Sequence, residues 1–589
     1  MRTRGYDKFP VVEIPDRGEH AWRGWPGICR ELFSGIDATS APVLAIEFYP
    51  GVFQKEIVEA LRAGRPDIEL IDMRDALLPE TDIAQLIAPF AGGDDPIFGF
   101  VTNLALRSFF DARRLKEIHE QASSASMPLV LLGPGAFLAA PEGALYVYAD
   151  LPRWEIQQRQ RRGQIANLGS SDTSVKASLQ YKRAFFVDWR AADDMKRATM
   201  AQWDYLLDTT AAGDPRLVEG EAFRGALSHC ATRPFRTVPF FDPGPWGGQW
   251  MKHVCNLDQT QANFAWCFDC VPEENSLRLR FGAVEIEVPA IDLVFAEPKA
   301  LLGEPVYGRF GAEFPIRFDM LDTMGGGNLS LQVHPLTPYI QEQFGLHYTQ
   351  DESYYVLDAK PGAQVYLGCK PGTEPAAMEA ALTAAQLREG RFPDEEFVAR
   401  FPAKAHDHFL IPAGTLHCSG ADTMVLEISA TPFIFTFKLW DWERLGLDGR
   451  PRPINIARGM ANIRWERDEH YAAQHLVNRV THIAEGRGWR EESTGLHESE
   501  FIETRRHWFT AGVMHDTGGV RNGGVHVLNL VAGDEAIVES PEGAFDPFIV
   551  HYAETFIVPA AVGRYSVRPH GAGEDQQCAT IKAYVRTDA

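Results

Sequence analysis

The sequence predicts a multidomain protein that begins as an α/β fold and ends as all-β. Two observations carry this. Between residues 41 and about 165, apolar strand-like runs alternate with helix-spaced segments, and such alternation builds a parallel, three-layer sheet. From about residue 236 the texture changes. Gly, Pro and aromatic residues become dense and short alternating runs recur, the pattern of sandwiches or barrels. A chain of 589 residues is too long for one ordinary core, and the expected division is 1–235, 236–465 and 466–589.

The first expected strand is APVLAIEFY, followed by the helix-spaced FQKEIVEALRAG. DIELIDM, PIFGFVTN, MPLVLLGPGA and ALYVYADL read as further strands, with DARRLKEIHEQA as a helix between two of them. Ligands of such sheets sit at the carboxyl ends of the strands. FYPGV (48–52) occupies the strand-to-helix turn where a phosphate loop could lie, but the GxxxxGKS/T pattern is absent. Downstream, Asp150 and Arg153, then Arg159, Arg161 and Arg162, weakly resemble the lid region of nucleoside or nucleotide kinases. A solvated basic helix is the competing reading. The expectation is a Rossmann-like, kinase-like α/β domain without a phosphate loop, degenerate or ligand-sensing. Residues 166–235 read as mixed and partly helical. SLRLRFGAVEIEV, NLSLQVHP, ESYYVLDA, AQVYLGC, HFLIPAGTLH, MVLEISA and FIFTFKLW then supply strands, interrupted by a helical insertion, EPAAMEAALTAAQL, near 373–400. RRHWFTAGV, VHVLNLVAG, EAIVES, ETFIVPA and TIKAYVR suggest a second, shorter barrel.

Composition narrows the partners. Hydrophobic residues make up 45% and charged residues 23%, the balance of a globular protein. A formal net charge of −23 argues against nucleic acid or an anionic membrane surface. No apolar signal segment opens the chain, and MPLVLLGPGAFLAA is too short to span a bilayer. The expected location is the cytoplasm, and the oligomeric state is left open. Eight cysteines in so long a chain are not a disulfide framework. Cys267 and Cys270 form one CxxC with no second pair to complete a zinc site, so reduced thiols are expected.

The chemistry concentrates in NLSLQVHP. Gln332 and His334 stand two apart in a strand pattern, so they share one face about 6.6 to 7 Å apart. Surface or hydrogen-bonded core residues are the plain reading; two ligands of one metal ion are the sharper one. Glu352 opens the next acidic strand, DESYYVLD, and His417 follows the tight turn of IPAGTLHCSG. One carboxylate, two imidazoles and an amide make a mixed oxygen and nitrogen set that suits Zn²⁺, and Mn²⁺, Fe²⁺, Co²⁺ or Ni²⁺ are chemically compatible.

Around these residues the chain resembles the type I phosphomannose isomerase family, which is built from cupin (jelly-roll) barrels. The resemblance starts at PWGGQW (245–250). It runs through EFPIRFDMLDTMGGGNLSLQVHP, AKPGAQVYLGCKPG, IPAGTLHCSG, MVLEIS and TFKLWDWERLGLDGRPRPI to ETFIVPA, roughly residues 240–589. It implies that Gln332, His334, Glu352 and His417 are ligands of one Zn²⁺. It implies aldose–ketose isomerisation of a hexose or hexose phosphate, of the mannose 6-phosphate/fructose 6-phosphate type, through an enediol. Lys438 falls where the family has an active-site arginine, Glu427 matches a glutamate placed for proton transfer or for holding the basic residue, and Lys370 matches a lysine near the mouth. The sequence also departs from the family. Gln350 and Asp351 replace a lysine-bearing stretch, Leu336 and Thr337 replace polar residues after QVHP, and Lys438 lacks the bidentate fork of arginine, so a non-phosphorylated sugar or another sugar phosphate is the alternative substrate to mannose 6-phosphate. His406 and His408 stand at a turn, either capping it or lining the site. The alternatives are a metal-binding cupin that senses a sugar without converting it, and a bifunctional sugar kinase–isomerase, which the missing phosphate loop disfavours.

Overall fold

All six residues of the strand Val43–Phe48 are buried, as a central strand with both faces covered requires. In the computed structural model, which describes residues 5–587 except 16, 39, 40, 433 and 496, this strand lies in a seven-stranded sheet. It pairs in parallel with Leu129–Gly133 on one side and Leu145–Asp150 on the other. Glu69–Asp72 extends the first side and Tyr205–Asp208 the second, both in parallel. Arg216–Glu219 and Ala21–Arg23 complete the sheet antiparallel. After the edge strand Ala21–Arg23 the chain enters the middle of the sheet, runs to the opposite edge, returns, and crosses to the other side. At the carboxyl ends of these strands lies a cleft of about 1050 Å³ lined by Tyr49, Gly51, Gln54, Arg74 and Asn167 among others. Such a position is a topological switch point.

The chain divides into two compact units. One comprises Val11–Cys230 together with Glu273–Ala296. The hairpin Ser276–Phe281/Val284–Pro289 belongs to it because Val11–Ile14 pairs in parallel with the first hairpin strand. The contiguous boundary expected near 235 is thus interrupted by one returning hairpin. PIFGFVTN (96–103) forms no strand; its segment is irregular. The basic helix Arg153–Arg161 is solvated only at its end, since Arg153 and Arg159 are buried and Arg161 is exposed. Arg159 donates to the carbonyls of Gly51, Thr209 and Thr210 and pairs with Glu155 at 3.0 Å. Arg153 pairs with Asp193 at 2.5 Å. Asp150 meets Lys196 at 2.6 Å, and Lys196 also holds Asp292 at 2.8 Å. Of the residues that resembled a kinase lid, Asp150, Arg153 and Arg159 are bound to protein partners in the core, whereas Arg161 and Arg162 are exposed.

The second unit holds the residues before Val11, Ala231–Pro272 and Glu297–Ala589. It contains two double-sheet layers. In the first, a six-stranded sheet runs His408–Ile411, Glu352–Ala359, Thr423–Ala430, Ile316–Asp322, Trp266–Cys270 and Phe240–Asp242. Its companion runs Val398–Pro402, Gln364–Cys369, His417–Ser419, Leu331–Val333 and Phe437–Trp440. The helix Pro375–Gln386 sits where the insertion was expected. In the second, Thr481–Gly486, Trp489–Gly495, Ile502–Phe509, Cys578–Val585, His526–Ala532 and Thr555–Val558 face Val513–Asp516, Arg564–Pro569, Glu535–Glu539 and Phe548–His551. One apolar cluster, with Phe509, Leu528, Phe556, Val538 and Val567, joins those two sheets. Position 433, early in FIFTFKLW, lies outside the described residues. All eight cysteines are free and buried. Among the described residues no helix is long and apolar enough to cross a membrane.

Lys196, Asp150 and Asp292 are each at most 1% exposed. Lys196→Ala leaves two carboxylates buried without their cation, which costs about 3–5 kcal/mol. The loss should be read as reduced hydrogen-exchange protection along Val43–Phe48, with unchanged protection counting against this role.

Candidate metal centre

Register explains why the expected residues meet. Gln332 is the cross-strand partner of His417 on one side and of Lys438 on the other. Directly opposed residues share a face, so His417, Gln332 and Lys438 form one row across their sheet. His334 follows two residues after Gln332 on the same strand path. Glu352 begins a strand of the facing sheet, opposite Ile411 and Ser429. The turn between His334 and His417 is pinned. Gly414 N–H donates to the His334 carbonyl at 3.0 Å, and Arg467 donates to the carbonyls of Pro412 and Ala413 and to Thr415 Oγ1. Gly414 has φ +88°, and a Cβ there would meet Leu336 and Arg464 side-chain atoms at 2.8 Å, so only glycine fits.

The two imidazoles are oriented alike. His334 Nδ1 lies 3.1 Å from the Phe435 carbonyl and His417 Nδ1 lies 2.8 Å from the Thr415 carbonyl. A carbonyl only accepts, so each Nδ1 carries a proton, and each ring in its neutral form presents its Nε2 lone pair. His334 Nε2 is 3.0 Å from Glu352 Oε2, and His417 Nε2 is 2.9 Å from Glu352 Oε1. The Gln332 amide lies 3.2 Å from His417 Nε2. All four side chains are buried. Lone pairs facing a carboxylate repel unless a proton or cation stands among them. Donor atoms at these spacings are close to the roughly 3.3 Å edge of a tetrahedron with bonds of 2.0–2.1 Å. Among the described residues His334, Glu352 and His417 are the one group of three His, Cys, Asp or Glu side chains close enough to hold a metal ion together. The donor set and its geometry fit such an ion.

A buried polar chain extends from this cluster. Gln350 Nε2 donates to Glu352 Oε2 at 3.1 Å and to Glu427 Oε1 at 3.3 Å. Glu427 also accepts from Ser429 and from Arg317, which pairs in turn with Asp319 at 2.5 Å. Burial would raise the Glu352 carboxyl, but positive charge shared with the two facing imidazoles, a proton on each Nε2 or a cation in its place, brings it well below the usual range. Burial and the nearby Glu352 charge push Glu427 far up, against the pull of Arg317. Burial pushes Asp319 up to about 6 despite Arg317. Lys438 is drawn down to about 8 by desolvation and then by Arg452. Arg452 and Arg444 both bind Asp441, which also accepts from Ser330.

Lys370 stands apart in a half-exposed ion pair with Glu469 at 3.0 Å. His406 lies in the turn, with φ +72° and its Nδ1 3.0 Å from the Tyr355 hydroxyl. His408 opposes Tyr355, on the alternate face from Glu352 and Tyr354; burial lowers it to about 3. Sequence reasoning missed Arg317, Asp319 and the bridging part of Gln350. A signal was present: charged residues two apart in the apolar run FPIRFDM repeat the spacing of Gln332 and His334.

Arg317→Met leaves Asp319 and Glu427 without their cation, a loss of about 3–5 kcal/mol where both are ionised. A carboxyl with a raised folded pKa takes up a proton on folding, so its contribution falls as pH climbs from the unfolded value near 4 through the folded one. Asp319 titrates near 6 with Arg317 present and higher without it, so the deficit in urea midpoint should be larger at pH 8 than at pH 5. An equal deficit at both would show that the guanidinium does not hold these charges.

Residues 24–232 match a family model described as a domain of unknown function, DUF8485. Part of the chain is similar to curated mannose-6-phosphate isomerases. It is 28% identical over 222 residues to mannose-6-phosphate isomerase of Streptococcus mutans, covering 36% of this chain and 63% of that protein. It is 24% identical over 231 residues to the probable mannose-6-phosphate isomerase GmuF of Bacillus subtilis, covering 39% and 68%. The chain thus spans just under two thirds of the first of these relatives. Among solved structures, the mannose 6-phosphate isomerase of Bacillus subtilis aligns at 16% identity with a TM-score of 0.48, over 60% of this chain and all of that one.

Proposed function

We propose that this chain, similar over part of its length to mannose-6-phosphate isomerases, is a zinc-dependent aldose–ketose isomerase. Its two double-sheet layers are read as cupin barrels, with the metal centre in the first and its substrate a hexose or hexose phosphate. One observation carries the reading most directly: two buried imidazole lone pairs face the two oxygens of one carboxylate. Gln332, His334, Glu352 and His417 would hold the ion. Zn²⁺ bound by them supplies a Lewis acid that polarises sugar oxygens.

The isomerisation moves a proton between C1 and C2 through an enediol, which requires a base and stabilisation of the developing oxyanion. Lys438 shares the row of Gln332 and His417. Its ammonium, drawn down to about 8, is close enough to neutrality to give up a proton and still charged enough to stabilise an oxyanion. Glu427 is the candidate carboxyl for proton transfer. Its Oε1 is committed to Arg317, Ser429 and Gln350, so that oxygen also holds the buried chain in place. Lys370 would reach a substrate only by leaving Glu469. The neutral Gln350 amide, where the family carries lysine, and lysine at 438 both reduce anion recognition, which supports a substrate range extending to unphosphorylated hexoses.

His334→Ala and His417→Ala should each lower zinc affinity by at least about 100-fold, since each removes a direct donor whose mere support is worth 10–100-fold. Both should abolish exchange of the sugar C2 proton with solvent deuterium. Metal analysis and NMR in D₂O read these separately, and full zinc content in both variants would sink the assignment. In the double variant Gln350→Lys/Lys438→Arg, the ratio of activity on hexose 6-phosphate to activity on free hexose should rise by about tenfold, the worth of one charge-assisted contact. An unchanged ratio would remove the specificity reading while leaving the isomerase reading intact.

A further inference from the structure

The second double-sheet layer buries polar groups that the metal centre does not use. Alternation fixes which residues share its interior face with the apolar cluster. Phe509 and Cys578 belong to that cluster and oppose one another. Two and four residues along, His507 opposes Thr580 and Arg505 opposes Lys582. Glu491 opposes His507 on the other side. From the facing sheet, Val513 brings His515 inward, opposite Tyr565. His526 shares the face of Leu528 and Leu530. Half of this interior is apolar and half is polar.

The charges in the polar half are unevenly matched. Arg505 takes both nearby carboxylates, Glu491 at 2.9 Å and Glu503 at 2.7 Å, and His507 Nε2 lies 3.3 Å from Glu491. Lys582 is 8% exposed, and among the described residues its ammonium has no ion pair; the face of Tyr584 lies at 5.4 Å, and Glu491 and Glu503 act on it only from beyond ion-pair distance. Beside it, His507 Nδ1, His515 Nε2 and Thr580 Oγ1 are buried without a protein hydrogen-bond partner. Burial of an unpaired ammonium is costly. The Arg505 side chain, 26% exposed, marks the end of the polar half nearest solvent, while His515 and His526 are each 5% exposed. A shared metal ion does not account for it: Tyr565 stands between His515, stacked on it at 4.9 Å, and His526, whose Nδ1 is 2.9 Å from its hydroxyl.

We propose that the polar half of this second layer binds a small anion bearing a carboxylate or phosphate group, with Lys582 as its counter-ion and His515 as a hydrogen-bond donor. Desolvation draws Lys582 down to about 8, so it remains mostly charged at neutral pH. Burial, with Lys582 nearby, holds His515 and His526 well below their usual range, so each keeps one N–H. An entering anion meets a cation and neutral donors while Arg505 masks Glu491 and Glu503. The site is independent of the isomerase reading.

The test is calorimetric titration of the full chain with inorganic phosphate and, separately, with succinate. Saturable binding of at least one anion is expected in the wild type and in Lys438→Met, which removes the cation of the other site; the anion that binds identifies the class. Lys582→Met should weaken that binding by at least about tenfold, the worth of a charge-assisted hydrogen bond, and His515→Phe by severalfold. Without anion, Lys582→Met should be at least as stable as the wild type, because it removes an unpaired buried charge. No saturable binding of either anion, equal affinity in Lys582→Met, binding lost in Lys438→Met, or a Lys582→Met protein clearly less stable than anion-free wild type would each overturn the proposal.

Discussion

Two imidazole lone pairs directed at one buried carboxylate are the constraint from which the rest of the first double-sheet layer can be understood. His334 and His417 are oriented by backbone carbonyls, so neither ring can turn its Nε2 away from Glu352 without losing a buried hydrogen bond. Such an arrangement is unfavourable by itself and becomes favourable around a cation. The surrounding order follows from holding that arrangement in place. The Gly414 turn ties one histidine segment to the other, Arg467 clamps the turn, and Gln350 holds the outer side of the carboxylate.

Behind this cluster the protein buries more carboxylate than cation. Arg317 serves Asp319 and Glu427 at once, while Gln350 spaces Glu427 from Glu352 with a neutral amide. The arrangement supports the functional reading, because it keeps a carboxyl close to the candidate centre with a strongly raised pKa. It also limits that reading, because Glu427 Oε1 is already occupied. The same contrast recurs elsewhere in the molecule. In the N-terminal unit, Lys196 is matched by two aspartates and closes its electrostatics internally. In the second double-sheet layer, Lys582 has no such match, and that difference separates a structural cation from one that calls for a ligand.

Much of the candidate centre was legible because strand geometry has a short period. Gln332 and His334 two apart, Glu352 at a strand entrance, and His417 after a Pro-Gly turn can be read without knowing which strands pair. Apolar runs such as Val43–Phe48 announce a buried parallel strand for the same reason. Less legible were residues whose meaning depends on a distant partner. Arg159 belongs to a helix that looks basic and solvated, yet its guanidinium is used up by three carbonyls. Lys370 matched a site lysine by motif and is held instead by Glu469, ninety-nine positions away. The hairpin 276–289 reads as part of the all-β region, and its pairing with Val11–Ile14 puts it in the other unit.

The sequence by itself determined the classes of its parts, an α/β segment then many short strands, because periodicity and turn chemistry act over a few residues, and its resemblance to a known family pointed to Gln332, His334, Glu352 and His417 as one cluster. Only the tertiary structure decided which charges are neutralised and which are left over. Burial and ion pairing join residues that are tens to hundreds of positions apart. Nothing in the local pattern around Lys196 or Lys582 tells that one pairs directly with two carboxylates and the other, among the described residues, with none within ion-pair distance.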